Sequence, residues 1–137
     1  MAWTITSKAK YDQARKLYFI NWSGQADATD LTDQVVVDAS AITGVAVLTS
    51  IQWLRFAANT YARLEWDATT DDLIVAHPGA GGPLVLPPLF PGERNFEVDE
   101  NFTKDPGSSG TTGDIVLTTI GGAAGKGVSI QLVVSVP

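Results

Sequence analysis

The sequence predicts a single, almost entirely β domain: an antiparallel β-sandwich or jelly-roll-like fold of about eight strands. Three observations predict it. Short apolar runs alternate with period two, turn-forming residues separate these runs, and helical periodicity is nearly absent. The length of 137 residues fits one domain, 1–137, with its own core. An up-and-down barrel is the alternative that remains open.

The first part of the chain contains three candidate strands. Trp3–Thr6 fits an edge strand, and Leu17–Ile20 is apolar on both faces, which predicts a central strand. Val35–Val37 is the third run. The best helical candidate, Lys8–Lys16, has no apolar stripe, so we expect a solvated turn and strand face there.

The run 44–56 alternates until Trp53, after which Leu54 and Phe56 take over the apolar positions. A slip of one residue predicts a β-bulge or a bend between sheets. This pattern puts Trp53 on the apolar side of its strand, and we expect it in the core together with Trp66.

The second half supplies the remaining strands. In Thr60–Trp66, alternate residues are apolar, which leaves Glu65 on the polar, solvated face. Asp67–Asp72 then fits a hairpin connection. Three further runs complete the set: Asp72–Val75, Ile115–Ile120 and Val128–Val136.

Residues 78–113 form a long irregular loop or arm that contains six of the seven prolines. Proline cannot donate to a strand ladder, so its apolar part, 84–91, is excluded from a central strand. Leaving its large side chains in water would be costly, so they need cover. Two interpretations stay open: a cover over one end of the sandwich, or an arm that docks on another subunit. In the second, the partner-binding residues are Leu84, Leu86, Leu89 and Phe90.

Charge and composition exclude several functions. The net charge of −6 disfavours nucleic-acid binding. There is no cysteine, no apolar run long enough for a membrane span, and no N-terminal signal pattern, so we expect synthesis in a cytosol and no membrane.

The sequence contains no pattern typical of a catalytic, phosphate-binding or metal-binding site. The single histidine, His77, fits a plain loop residue, and the glycine run 121–127 lacks the order and the following helix of a phosphate loop. Asp67, Asp71 and Asp72 do not have the spacing of an EF-hand calcium loop. We therefore predict no catalytic residue, no metal, no cofactor and no enzyme activity.

Two stretches carry a resemblance to a known class. Leu64–Asp71, and Gly113–Thr119 followed by a glycine-rich turn and a closing strand, resemble parts of small bacteriophage structural proteins. Together they cover under half of the chain, and the segment 84–91 departs from the pattern. The resemblance implies a capsid decoration (cement) protein that binds the outer surface of a phage capsid and bridges neighbouring subunits. It implies a virion location after synthesis in the bacterial host cytoplasm, the major capsid protein as partner, and a homotrimer.

Two alternatives remain beside this expectation. One is a tail, neck or fibre-associated virion β domain. The other is a carbohydrate-binding β-sandwich, in which exposed aromatic rings stack on sugars. Because Trp53 and Trp66 are assigned to the core, Trp3 and Trp22 are the candidates for such stacking.

Overall fold

A computed structural model describes residues 3–43, 49–80, 82–86, 97–98 and 106–136. Within these residues the chain forms ten strands and one helix of five residues. In chain order they are β1 (Thr4–Asp12), β2 (Leu17–Gln25), β3 (Gln34–Val37), α1 (Ala39–Thr43), β4 (Ser50–Ala58), β5 (Tyr61–Trp66), β6 (Asp72–His77), β7 (Leu84–Leu86), β8 (Glu97–Val98), β9 (Ile115–Ile120) and β10 (Gly127–Ser135).

The strands form two five-stranded antiparallel sheets. The first has the order β1-β2-β10-β4-β7, and the second has the order β3-β9-β5-β6-β8. The all-β prediction is confirmed, as is the interior position of β2. β1 is an edge strand, as predicted, but it extends to Asp12 and includes most of the stretch considered for a helix.

One hydrophobic core lies between the sheets and draws side chains from both. β10 shows why the sequence folds this way, because its buried and half-buried residues alternate without interruption from Gly127 to Ser135. Val128, Ile130, Leu132 and Val134 are each at most 3% exposed. Burying such a side chain contributes roughly 1.5–3 kcal/mol, so the alternation fixes which face of the strand points inward.

A β-bulge in β4 confirms the predicted slip. Val134 of β10 pairs with Ile51, whereas its neighbour Val133 pairs with Trp53, so Gln52 is the extra residue. Ile51 and Leu54 therefore both point into the core. The placement of Trp53 in the core was wrong, because the bulge turns its side chain outward, where it is half-buried.

The irregular region 78–113 contains two short strands, β7 and β8. β7 pairs with β4 at the edge of the first sheet, where a neighbouring proline is tolerated. Leu84 is 3% exposed and belongs to the chain's own core. The side chain of Leu86, and Leu89 and Phe90 altogether, lie outside what the structure describes.

Two tryptophans close one end of the core around Gly24. A Cβ atom at Gly24 would lie 2.7 Å from Cη2 of Trp22 and 3.0 Å from Cε3 of Trp3. The Trp3 indole N–H also donates to the carbonyl of Thr29 over 2.8 Å. Glycine is therefore needed here for the close approach of two rings.

Replacing Gly24 with alanine should destabilise the protein by about 1–3 kcal/mol, because at least one indole must leave its packed position. Ser23→Ala, on the exposed face of the same strand, should change the free energy of unfolding by less than about 0.5 kcal/mol. Urea unfolding followed by tryptophan fluorescence measures both. Equal stability of Gly24→Ala and the parent would contradict this packing.

Candidate functional site

His77, predicted to be a loop residue, is instead the last residue of β6 and is 1% exposed. Its Nδ1 accepts a hydrogen bond from the Gly79 amide (2.9 Å), which leaves Nε2–H to donate to the Gly82 carbonyl (2.8 Å). Its ring also meets Phe56 edge-on, with centroids 5.5 Å apart. Both nitrogens are engaged in holding a turn, so His77 has no free atom for acid–base chemistry.

Three carboxylates meet on the outward side of the second sheet. Asp33 precedes β3, Glu65 lies on β5 and Asp71 precedes β6, and one oxygen of each lies within 4.8 Å of the others. Glu65 was expected to be solvated, which was wrong: it is only 9% exposed. Its position on β5 puts it opposite Val116 of β9, and its Oε1 accepts from Arg63 Nε over 3.0 Å.

Of the three aspartates considered for a calcium loop, Asp71 belongs to this cluster, whereas Asp67 and Asp72 are not part of it. Asp67 instead accepts a hydrogen bond from the Thr112 hydroxyl over 2.8 Å. The three oxygens of Asp33, Glu65 and Asp71 are a suitable donor type for a hard cation, but calcium takes six to eight ligands. Arg63 already neutralises part of their charge.

Crowding perturbs the titration of Asp71. Burial raises the pKa of the Asp71 carboxyl, and the adjacent Asp33 raises it further, while the Ala68 amide partly offsets the rise by donating to Asp71 Oδ1. A carboxyl whose pKa is higher in the folded state binds its proton more tightly there. Its ionisation therefore removes stability as the pH rises above the ordinary range of an aspartate.

Asp71→Asn should accordingly raise the melting temperature at neutral pH by roughly 1–3 °C. The asparagine Oδ1 can still accept from Ala68. The difference from the parent should shrink towards about pH 3, where the parent carboxyl is protonated in both states. Calorimetry across this pH range measures it.

Asp12→Asn is the control, because the pKa of Asp12 is shifted in the opposite direction to that of Asp71. Hydrogen bonds from Arg15 lower the pKa of Asp12, so its carboxylate contributes stability at neutral pH. This variant should not gain stability at pH 7. A pH-independent difference for Asp71→Asn would contradict the crowding of the cluster.

The outward face of the first sheet carries a different constellation. Strand register aligns Lys10 of β1, Phe19 of β2, Val133 of β10 and Trp53 of β4 in one row across four strands. The apolar members of this row are half-buried. The next row on the same face is polar, and it runs through Lys8, Asn21, Gln131 and Arg55.

All residues of these two rows except Arg55 line a shallow groove of about 320 Å³ that we call the basic groove; its walls are Lys8, Lys10, Phe19, Asn21, Trp53, Gln131 and Val133. No carboxylate of the described residues lines it. The guanidinium of Arg15 lies 5.8 Å from the Phe19 ring centroid and is paired with Asp12 at 2.7 Å. The groove is thus a local basic, aromatic surface on an acidic protein.

The groove also corrects the assignment of the tryptophans. All four lie among the described residues, and Trp3, Trp22 and Trp66 are at most 6% exposed. Among the tryptophans, Trp53 alone is half-buried rather than buried, so it is the tryptophan available for stacking. The register slip in the sequence was the signal that Trp53 could face outward rather than into the core. Only the pairing of β4 with β10 shows which residue is extra.

The edge of β1 that faces away from β2, which we call the free edge because no described residue pairs with it, is a second exposed feature. The Ala26 amide donates to the Lys126 carbonyl over 2.8 Å, so even-numbered residues of β2 bond towards β10 and odd-numbered ones towards β1. In β1, even-numbered residues therefore bond to β2. The backbone groups of Ile5, Ser7, Ala9 and Tyr11 point away from it. Every residue from Thr4 to Lys10 is exposed.

The fold is that of a two-sheet antiparallel β domain, with an exposed strand edge at β1 and a groove on the outward face of the first sheet. No helix in the described part of the chain has the length and apolar character needed to cross a membrane. Comparison with protein-family models, curated proteins and solved structures finds no match to this chain.

Proposed function

We propose that this protein is a structural component of a phage virion that binds the outer surface of the capsid and bridges neighbouring capsid subunits. The motifs of Leu64–Asp71 and Gly113–Thr119 suggest the phage setting. The observation that carries the binding function is the free edge of β1, a nine-residue strand that pairs, among the described residues, with β2 alone.

A free edge of this length is a template for strand addition. An extended segment of a capsid subunit would bond to the backbone groups of Ile5, Ser7, Ala9 and Tyr11, and so lengthen the first sheet. Proteins usually shorten or cover such edges because exposed edges bind other chains without control. In β1 seven consecutive residues, Thr4–Lys10, are exposed. Such an edge is expected where a partner strand covers it in the assembled particle.

The rest of the molecule suits this role. The core is closed between two sheets, so the domain has the means to fold before it attaches. The net charge of −6 keeps it from binding the packaged nucleic acid. The partner in this proposal is the major capsid protein, and the assembled state is a homotrimer, which multiplies modest contacts by avidity.

The earlier partner-binding set contributes less to this proposal than β1 does. Leu84 packs into the chain's own core, so it is not available on the surface. Leu86, Leu89 and Phe90 stay candidates for a second contact on the same capsid. The proposal assigns the primary contact to the edge of β1.

Ala9→Pro tests the free edge directly. The amide of Ala9 points away from β2, so proline removes a donor for the partner without breaking the β1–β2 ladder. We expect the variant to keep its fold and to bind phage particles that lack the protein at least about tenfold more weakly than the parent. Co-sedimentation with such particles, and their survival on heating, are the measurements.

Ala9→Val is the matched control, because valine favours strands and keeps the amide. It should bind and stabilise particles as the parent does. If the parent neither binds particles nor protects them from heat, the capsid function is wrong. If Ala9→Pro binds as well as Ala9→Val, the capsid contact lies elsewhere on the protein and the role of β1 is wrong.

A further inference from the structure

We propose that the basic groove binds an anionic polysaccharide. This activity is separate from attachment to the capsid, because the groove lies on the outward face of the first sheet while the proposed capsid contact is the backbone edge of β1. The proposal rests on the arrangement of three kinds of side chain on one face: aromatic, amide and cationic.

The floor of the groove matches the apolar face of a sugar ring. Phe19, Val133 and Trp53 follow one another across three adjacent strands, which span about 10 Å. Sugar rings present C–H groups on their faces, and aromatic side chains pack against such groups through dispersion and their negatively polarised π-face. Trp53 thus provides one stacking position, and Phe19 provides a second where a sugar ring displaces the Arg15 guanidinium that lies over it.

The second row supplies hydrogen bonds beside that floor. Asn21 and Gln131 are direct cross-strand partners on the same face. Each amide has both donors and an acceptor, which suits hydroxyl groups that themselves donate and accept. A sugar chain lying on the apolar row would therefore place the polar edges of its rings against this amide row.

The charges select an anionic chain. Lys8 and Lys10 stand at the β1 end of the two rows, and Arg55 stands at the β4 end of the amide row. No carboxylate of the described residues lines the groove, although the chain as a whole carries −6. Carboxylate or sulfate groups on alternate sugars would meet these cations in charge-assisted hydrogen bonds.

The same geometry favours a polysaccharide over a protein partner. The apolar floor is one residue wide on each strand and is bordered at once by polar side chains. A specific protein interface buries about 800 Å² per partner around a broader apolar centre. A cleft of about 320 Å³ is instead at the lower end of the range for small ligands and short chain segments.

Fluorescence titration of the purified protein tests the proposal with three acidic chains, polygalacturonate, hyaluronate and heparin, and with neutral dextran. Because Trp53 is the half-exposed tryptophan, binding should change its emission and protect it from acrylamide quenching. At least one acidic chain should bind, with an affinity that falls as salt rises, and dextran should bind at least about tenfold more weakly.

Variants separate stacking from charge. Trp53→Ala should abolish binding, whereas Trp53→Phe should retain it in calorimetry without the fluorescence signal. Lys8→Ala/Lys10→Ala should weaken binding to the acidic chain about tenfold at low salt. Lys126→Ala, which removes an exposed lysine in the glycine-rich turn away from this face, should leave the affinity unchanged. Thermal melts verify that each variant is folded.

Three results would overturn the proposal. One is that none of the acidic chains binds; another is that dextran binds as tightly as they do. The third is that inorganic polyphosphate binds equally well and Trp53→Ala has no effect, which would indicate a general cationic surface. Ile5→Pro removes the amide of another residue on the outer edge of β1, and Ile5 lies outside the lining of the groove. This variant should weaken capsid binding and bind the acidic chain normally, so failure of the groove and failure of the capsid contact give different results.

Discussion

The structure depends on the period-two alternation of side chains, and on the one residue in β4 that interrupts it. In β10 the alternation is unbroken, and the inward half of the strand fills the core. In β4 the extra residue, Gln52, lets Ile51 and Leu54 both face inward and turns Trp53 outward. The bulge therefore completes the core and, in the same step, brings an indole into line with Phe19 and creates the groove.

A second consequence of strand geometry links the core to the proposed capsid contact. Backbone groups in an antiparallel ladder alternate in direction, so the bonds of β2 to β10 decide which atoms of β1 remain unpaired.

The two sheets also differ in the charge that they carry. The basic groups Lys8, Lys10 and Arg55 lie on the first sheet, whereas the carboxyl cluster around Asp71 lies on the second. One small domain thus presents a bonding edge and two chemically different faces.

The sequence predicts this fold wherever a strand has one buried face. The alternation in 128–136, the buried apolar side of 60–66 and the slip before Leu54 are confirmed, whereas the solvated position predicted for Glu65 is not. β1 is harder to predict because both of its faces are exposed, so no apolar alternation marks its length. The cluster of Asp33 with Glu65 is harder still, since it depends on β9 lying between β3 and β5, and pairing partners distant in sequence leave no local pattern.

The central claim of the proposed function is that the protein lies on the outer surface of the phage particle. Quantitative mass spectrometry of purified particles, combined with labelling of their outer surface, tests that claim most directly. The account predicts a surface-accessible protein whose copy number follows that of the major capsid protein. A copy number that instead matches a single neck or tail ring, or absence from the particle, would contradict it.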